Sequence, residues 1–246
     1  MSQVVLVTGA TRGIGKGLVT HYLARPSTTV IATVRDPTSA NATALNSLPR
    51  GHDSRLIIVA LTADSPTSAA TTASEIQDAH GITHIDIVIA NAGICEHWGP
   101  VLDATEADIL AHFQVNTLGP LRLIQATAPL LAKAAAPKFI YISTLLASIG
   151  GVGQLVSLTG PYGMSKAAGN FLVRKIHDEN EQLVTLAVNP GLVQTDLGGW
   201  AAQNYGLKEA PVTLEESVRG IMTQIDAVDK STSGSFVDAL GEQVAW

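Results

Sequence analysis

Seven short runs of valine, isoleucine and other aliphatic residues recur along the chain, and stretches with helical periodicity lie between them. The runs are mainly apolar and do not alternate with polar residues, which predicts strands buried on both faces, as in a parallel sheet. They cover residues 3–7, 29–34, 56–61, 85–90, 139–142, 183–188 and 235–237. Helices are predicted at roughly residues 14–25, 38–47, 66–79, 105–133, 163–178 and 213–228. The alternation of strand and helix predicts an α/β fold, a doubly wound parallel sheet of about seven strands flanked by helices.

The whole chain, residues 1–246, is expected to form a single domain, because its length suits one α/β domain and no internal repeat or charged linker divides it. Apolar residues make up 46% and charged residues 15%, the balance of a globular protein. In a doubly wound, or Rossmann-type, sheet, ligands bind outside the carboxyl ends of the strands. The segments that follow the predicted strands therefore carry the candidate site.

Composition argues against several kinds of partner. The net charge is −6 and no block of five basic residues occurs, so no nucleic-acid partner is expected. No apolar run reaches the ~20 residues of a membrane span, and a strand begins too early to leave room for a signal peptide. Cys95 is the single cysteine, so no internal disulfide forms, and a cytoplasmic location is expected. His80 and His84 lack nearby thiol or carboxylate ligands, so no metal site is expected.

A glycine-rich turn, TGATRGIG, follows the first predicted strand at residues 8–15. Gly9 allows the tight turn, Gly13 lets the backbone approach a phosphate, and Gly15 lets the next helix pack closely. The N-terminus of that helix would present free N–H groups and the positive end of its dipole to a pyrophosphate. The turn therefore predicts dinucleotide binding; a glycine turn without a ligand is the alternative.

The end of the second predicted strand indicates which nicotinamide dinucleotide binds. An NAD-binding protein usually has a carboxylate there for the ribose 2′-OH, whereas this chain has Val34 followed by Arg35. A guanidinium can hold the 2′-phosphate of NADPH or NADP+, and Arg12 can add a second positive charge. NADPH is therefore expected. Two alternatives remain open: Asp36 pairs with Arg35 and weakens its effect, or both arginines are ordinary surface residues.

Tyr162 and Lys166 stand four residues apart, which places them on one face of a predicted helix. A phenol near an ammonium loses its proton more easily, so such a pair can donate or accept a proton near neutral pH. With a nicotinamide cofactor, this pair predicts hydride transfer to or from a carbonyl. Tyr-x-x-x-Lys alone is more often a solvated helix face, so the prediction depends on the glycine turn as well.

Six motifs occur together in one order along the chain. They are TGATRGIG at 8–15, NAG at 91–93, Asn116, IYIST at 140–144, YGMSK at 162–166 and NPGLVQT at 189–195. In this order they resemble the short-chain dehydrogenase/reductase family along nearly the whole chain. The opening GATRGIGKGL and the closing segment from Ser233 to Trp246 are similar to those of norsolorinic acid ketoreductase-like and sniffer-type carbonyl reductases.

The resemblance implies a catalytic group of Asn116, Thr144, Tyr162 and Lys166. Tyr162 would protonate a carbonyl oxygen, Lys166 would lower the pKa of Tyr162 and bond the nicotinamide ribose, and Asn116 would hold a water at a helix distortion. The cofactor contacts implied are Gly9, Thr11, Arg12, Gly13, Ile14, Gly15, Val34, Arg35, Thr62, Asn91, Ala92, Gly93, Tyr162, Lys166, Pro190, Gly191, Val193 and Thr195.

Two positions depart from the family pattern. Thr144 stands where the family has its substrate-orienting serine; it keeps a hydroxyl but is bulkier and stiffer about χ1. Ser143 is the alternative for that role. At the end of the third strand, where the family often has an aspartate against the adenine, this chain has Thr62.

The substrate is expected to lie between the segment after Thr144 and a loop at about residues 192–212, which can act as a lid. Candidate substrate contacts are Ser143, Leu145, Trp98, Leu192 and Trp200, with Leu155, Val156 and Tyr205 nearby. Their apolar character suits an uncharged ketone, aryl or polycyclic. Aromatic side chains that only pack the loop are the alternative.

These features together predict an NADPH-dependent carbonyl reductase, or ketoreductase, that acts on a small-molecule ketone. Family members commonly pair through the helices at 105–133 and 161–179, so a homodimer or homotetramer is expected, although sniffer-type relatives can be monomers. Two other functions remain open: an NAD(P)-dependent alcohol dehydrogenase working oxidatively, and a catalytically silent NADP-binding regulator.

Overall fold

The strands of the predicted sheet are all found in the computed structural model, which describes residues 2–154 and 157–246. They are β1 (Gln3–Thr8), β2 (Thr28–Val34), β3 (Arg55–Ala60), β4 (Ile87–Ala90), β5 (Lys138–Ile142), β6 (Val184–Asn189) and β7 (Ser235–Asp238). They form one seven-stranded sheet in the order β3-β2-β1-β4-β5-β6-β7, and every neighbouring pair is parallel. The predicted doubly wound α/β fold is confirmed.

Helices connect the strands and cover both faces of the sheet. They are α1 (Gly13–Ala24), α2 (Ala40–Thr43), α3 (Ser68–Asp78), α4 (Glu106–Phe113), α5 (Gly119–Leu131), α6 (Gly160–Glu179), α7 (Asp196–Asn204) and α8 (Leu214–Ala227). One apolar layer packs α1 and α8 on the sheet, and the other packs α3, α5 and α6 on the opposite face. Among the described residues, no helix combines the length and hydrophobicity that crossing a bilayer requires.

The long helix predicted over residues 105–133 is divided in the structure. A π-helical segment at Gln114–Leu118 separates α4 from α5. The sequence gives a physical reason, since Pro120 has no N–H to donate to the carbonyl of Asn116 four residues earlier. The regular α-helical ladder is therefore interrupted at Asn116, whose side chain is completely buried.

The loop predicted at residues 192–212 begins with a helix that the sequence analysis did not predict. The sequence of α7 contains two adjacent glycines, Gly198 and Gly199, whose low helix propensity argues against a helix there. Gly198 is required by packing, because a Cβ atom there would lie 1.9 Å from the carbonyl oxygen of Val193. The first turn of α7 is thus pressed against the chain that leaves β6.

The order of the strands determines where a ligand can enter. After β1 the chain moves to β2 on one side, whereas β4 pairs with β1 on the other side. The segments that leave the carboxyl ends of β1 and β4 therefore diverge, and a crevice opens between them.

Candidate active site

A cleft of about 1380 Å³ lies at the carboxyl ends of the central strands. The predicted cofactor residues that line it are Gly9, Thr11, Arg12, Gly13, Ile14, Gly15, Val34, Arg35, Asn91, Ala92, Gly93, Tyr162, Lys166, Pro190, Gly191, Val193 and Thr195. Within residues 2–154 and 157–246, no group of three or more histidine, cysteine, aspartate or glutamate side chains is arranged to hold a metal ion.

The glycine turn forms the floor of one end of this cleft. Gly9 and Gly13 adopt positive φ angles of 67° and 52°, which L-residues with side chains rarely adopt. A Cβ atom on Gly15 would lie 2.2 Å from the carbonyl oxygen of Gly9 and 2.6 Å from Nδ2 of Asn91. No side chain caps the N-terminus of α1, and its first turn carries no acidic residue. The turn therefore presents unshielded backbone N–H groups, which suits a pyrophosphate.

Thr8 holds the opposite wall of the crevice in place, a role that the sequence analysis missed. Its Oγ1 accepts hydrogen bonds from the backbone N–H groups of Asn91 (2.9 Å) and Ala92 (3.0 Å). The side-chain amide of Asn91 in turn donates to the carbonyl of Thr8 at 2.8 Å. These bonds tie the segment after β4 to the end of β1, so the width of the crevice is fixed before any ligand binds.

The end of β2 has the side chains expected for a 2′-phosphate. Val34 is buried, and Arg35 is exposed at the cleft. Asp36 does not pair with Arg35: its Oδ1 accepts hydrogen bonds from the hydroxyl (2.7 Å) and the N–H (2.8 Å) of Thr38. These two bonds hold the pKa of Asp36 below its ordinary value. Arg12, by contrast, pairs with Asp196 at the start of α7.

Thr62 does not line the cleft, contrary to the expectation that it contacts the adenine. Its backbone N–H binds Oγ of Ser68 at 2.9 Å, which turns the residue toward the start of α3. Leu61, Ala63 and Asp64 line this end of the cleft instead. The N-cap of α3 is Thr67, three residues after Asp64.

Tyr162 and Lys166 lie side by side along α6 and both face the cleft. Only 9% of Tyr162 and 3% of Lys166 are exposed. Burial raises the pKa of Tyr162 well above its ordinary value, the Cys95 thiol adds to this, and the Thr144 hydroxyl acts in the opposite direction. Burial lowers the pKa of Lys166 to about 7. The expected lowering of the Tyr162 pKa by Lys166 is not seen: burial raises that pKa, and Tyr162 is held as a neutral phenol.

The two candidate hydroxyls after β5 differ in what they bind. Oγ of Ser143 donates to Oδ1 of Asn170 at 2.6 Å, and both residues are buried. Thr144 is half-buried, and its Oγ1 accepts a long hydrogen bond from the N–H of Leu146 at 3.3 Å. The Thr144 hydroxyl lies within hydrogen-bonding reach of Tyr162 in the cleft, whereas the Ser143 hydroxyl is bound to Asn170.

Asn116 lies behind the cleft wall and does not line it. Its side chain accepts a hydrogen bond from the N–H of Ile94 (2.9 Å) and donates to the carbonyl of Ile94 (2.9 Å) and to Oγ of Ser165 (3.0 Å). Its backbone carbonyl accepts a hydrogen bond from the phenol of Tyr141 at 2.9 Å. Asn116 thus joins the segment after β4 to α6.

Comparison with known proteins agrees with this geometry. A family model described as short chain dehydrogenase matches residues 3–205. The chain belongs to the short-chain dehydrogenase family. As a member it is an oxidoreductase, and curated relatives extend over nearly its full length. A norsolorinic acid ketoreductase of Dothistroma septosporum is 45% identical over 94% of this chain and 88% of its own length. Another, of Emericella nidulans, is 44% identical over 99% of this chain and 93% of its own.

Solved structures of similar proteins give the same fold. An NADPH-bound carbonyl reductase from chicken fatty liver superimposes with a TM-score of 0.88 at 32% identity, covering 100% of this chain and 99% of its own. The carbonyl reductase Sniffer of D. melanogaster gives a TM-score of 0.85 at 24% identity, covering both chains fully. At that lower identity, the likeness to Sniffer supports the fold alone.

The substrate side of this short-chain dehydrogenase differs in part from the prediction. Ser143, Leu145 and Leu192 line the cleft, but Trp98 and Trp200 do not. Trp98 instead packs edge-on against Trp200 (6.1 Å between ring centroids) and against Tyr205 (4.9 Å), so these rings brace α7. Tyr205 also lines the cleft, as do Cys95, Glu96, Gln114 and Val115, which the sequence analysis did not assign. Leu155 and Val156 lie outside the described residues.

The two hydroxyls after β5 are expected to contribute differently to stability. Ser143→Ala should lower the free energy of unfolding by about 1–3 kcal/mol, because it leaves the buried Oδ1 of Asn170 without its donor. Thr144→Val keeps the shape of the side chain and should have a smaller effect. Urea denaturation of both variants measures this, and a larger loss in the Thr144 variant would contradict the assignment.

Proposed function

We propose that this protein is an NADPH-dependent carbonyl reductase, a ketoreductase that reduces an uncharged aryl or polycyclic ketone to a secondary alcohol. One observation carries the proposal: the neutral phenol of Tyr162 lies beside the Thr144 hydroxyl, in the cleft that begins at the glycine turn. The relatives support this reading. The two fungal ones are named norsolorinic acid ketoreductases, and the chicken protein is an NADPH-bound carbonyl reductase.

The residues of the cleft fit a nicotinamide dinucleotide phosphate. Backbone N–H groups at the start of α1 would bind the pyrophosphate, since no side chain caps them, and Gly15 lets α1 begin close against the turn at Gly9. Arg35 would hold the 2′-phosphate, and buried Val34 offers no carboxylate to repel it. The segments at 91–93 and 190–195 would line the remaining length of the cofactor. When bound, NADPH supplies the hydride for the carbonyl carbon.

The chain's own residues supply the proton and the orientation. The carbonyl oxygen would accept hydrogen bonds from Tyr162 and Thr144, which fixes its position relative to the cofactor. Tyr162 would then transfer its proton to that oxygen as the alcohol forms. The Lys166 ammonium stabilises the phenolate that remains, because an opposite charge nearby favours the charged form. Asn116 acts from behind by holding the 91–96 segment against α6.

The lining of the cleft beyond Tyr162 supports the proposed substrate class. Leu145 and Leu146 from the segment after β5, and Leu192 and Leu207 from the α7 region, give this part an apolar surface. Glu96 also lines this part and is exposed. A flat hydrophobic ketone gains most from the apolar part of such a lining.

Tyr162→Phe tests the proposed reaction. The variant should lose about 10²–10⁴-fold in turnover with NADPH and an aryl ketone, because the proton donor is removed. The Kd for NADPH should change little, since the ring and Lys166 remain. Thr144→Val should also lose turnover, whereas Thr144→Ser should keep most of it.

The reference for these variants is the wild-type protein. Its turnover is monitored as NADPH oxidation with aliphatic, aryl and polycyclic ketones. Full activity in Tyr162→Phe would contradict the proposed role of Tyr162. Binding of NADPH with no turnover of ketones or alcohols would favour a silent NADP-binding regulator, and turnover only of alcohols would favour an oxidative dehydrogenase.

Arg35→Ala tests the cofactor preference. It should raise the Kd for NADPH by about 10–100-fold, because a charge-assisted bond to the 2′-phosphate is lost, and leave the Kd for NADH nearly unchanged. Arg50→Ala is the matched control, since Arg50 is exposed and does not line the cleft. Titration of cofactor fluorescence measures both constants. An equal loss for NADPH and NADH would contradict the role of Arg35.

We infer that the protein forms a homodimer or homotetramer through the outer face of α4 and α6. Leu110, Met164 and Phe171 are large apolar side chains exposed on these helices, and Phe171 is 71% exposed. Phe171→Glu should reduce the mass measured by sedimentation, because it places a charge in the interface. Leu240→Glu is the control, because Leu240 is exposed but lies on neither α4 nor α6; it should leave the mass unchanged. A monomeric wild-type protein would overturn this inference.

A further inference from the structure

Lys166 is an ammonium buried almost completely without a carboxylate partner. Its Nζ donates to the carbonyl of Ile142 at 2.7 Å. In the part of the chain that the structure describes, no acidic group lies within ion-pair distance of it. The titratable groups that face it are the Cys95 thiol from the segment after β4, the Tyr162 phenol on its own helix, and the Tyr141 phenol on β5. Something other than an anion must keep this charge in place.

The ring of Tyr141 is the group placed to do so. Nζ of Lys166 lies 4.5 Å from the centroid of the Tyr141 ring, compared with 6.0 Å for the Tyr162 ring. The face of an aromatic ring attracts a cation within about 6 Å, and more strongly where both are shielded from water. Tyr141 is fully buried, so the contact is shielded.

The Tyr141 ring is itself fixed from two sides. Its hydroxyl donates to the carbonyl of Asn116 at 2.9 Å, the carbonyl that Pro120 leaves without a helical donor. Gly169 on α6 leaves the space for it, because a Cβ atom there would lie 2.3 Å from the Tyr141 hydroxyl. The π-helical segment and Gly169 therefore hold the ring in one orientation beneath Lys166.

We propose that Tyr141 is a positioning residue for Lys166: its ring face stabilises the ammonium at the cleft, and its hydroxyl, bound to the carbonyl of Asn116, locks the ring in place. The consequence for turnover rests on the proposed reductase function. The placement of the ammonium over the ring does not, and it can be measured without cofactor or substrate.

The direct test is NMR of protein with ¹³C-labelled lysine, in which Lys166→Arg identifies the Lys166 resonance. In wild-type protein the Cε protons of Lys166 should be shifted upfield by the Tyr141 ring current. Tyr141→Leu should abolish this shift and move the titration midpoint of Lys166 about one pH unit lower, since loss of the ring face removes a contact that favours the charged form. Tyr141→Phe keeps the ring but loses the bond to Asn116, so it should retain most of the upfield shift and a titration midpoint nearer to wild type than to Tyr141→Leu.

The same variants are then compared by the pH dependence of kcat. The limb at which activity falls as pH rises, where the Lys166 ammonium loses its proton, should move to lower pH in Tyr141→Leu and move less in Tyr141→Phe. An unshifted Lys166 resonance in wild-type protein overturns the proposal even if the leucine variant does not fold. So does a titration midpoint in Tyr141→Phe that moves as far as in Tyr141→Leu. Absence of turnover in wild-type protein would instead reject the reductase function and leave the NMR result standing.

Discussion

The parallel pairing of β1 with both β2 and β4 is the constraint on which the site depends. Because the chain leaves β1 toward one side and β4 lies on the other, the segments after these strands diverge and flank a crevice. The hydrogen bonds of Thr8 to the segment at 91–92 fix the width of that crevice. The ends of β5 and β6 then continue its walls toward Tyr162. The glycine turn and Tyr162 are thereby placed at one edge of one sheet.

Burial gives the catalytic group its chemistry. Tyr162 is kept as a neutral phenol because it is buried. Lys166 is held beside it by the carbonyl of Ile142 and the ring face of Tyr141, and no carboxylate among the described residues pairs with it. A carboxylate paired with Lys166 would neutralise the charge that a developing phenolate needs. The protein therefore holds its lysine by groups that carry no net charge, so that when Lys166 is protonated its charge is not neutralised by a paired anion.

Much of this arrangement could be predicted from the sequence because its causes are local. Seven apolar runs separated by helical stretches predict the strands of a parallel sheet, and glycines at 9, 13 and 15 meet backbone requirements that the structure confirms. The features that the sequence analysis did not predict depend on contacts between distant segments. Trp98 and Trp200 pack on each other and on Tyr205, Thr62 turns toward α3, and α7 forms despite its two glycines. The hydrogen bond between Tyr141 and Asn116 could not be predicted either, because the two residues are far apart in the sequence. The break in the helix could have been, since Pro120 marks it.

Deuterium transfer is the most direct measure of the proposed chemistry. Wild-type protein would be incubated with an aryl ketone and NADPH that carries deuterium at the transferable position of the nicotinamide, and the product examined by mass spectrometry. A carbonyl reductase yields an alcohol with one deuterium on the carbinol carbon. An alcohol without deuterium, or no alcohol from any ketone although NADPH binds, would contradict the proposal that this cleft transfers a hydride to a ketone.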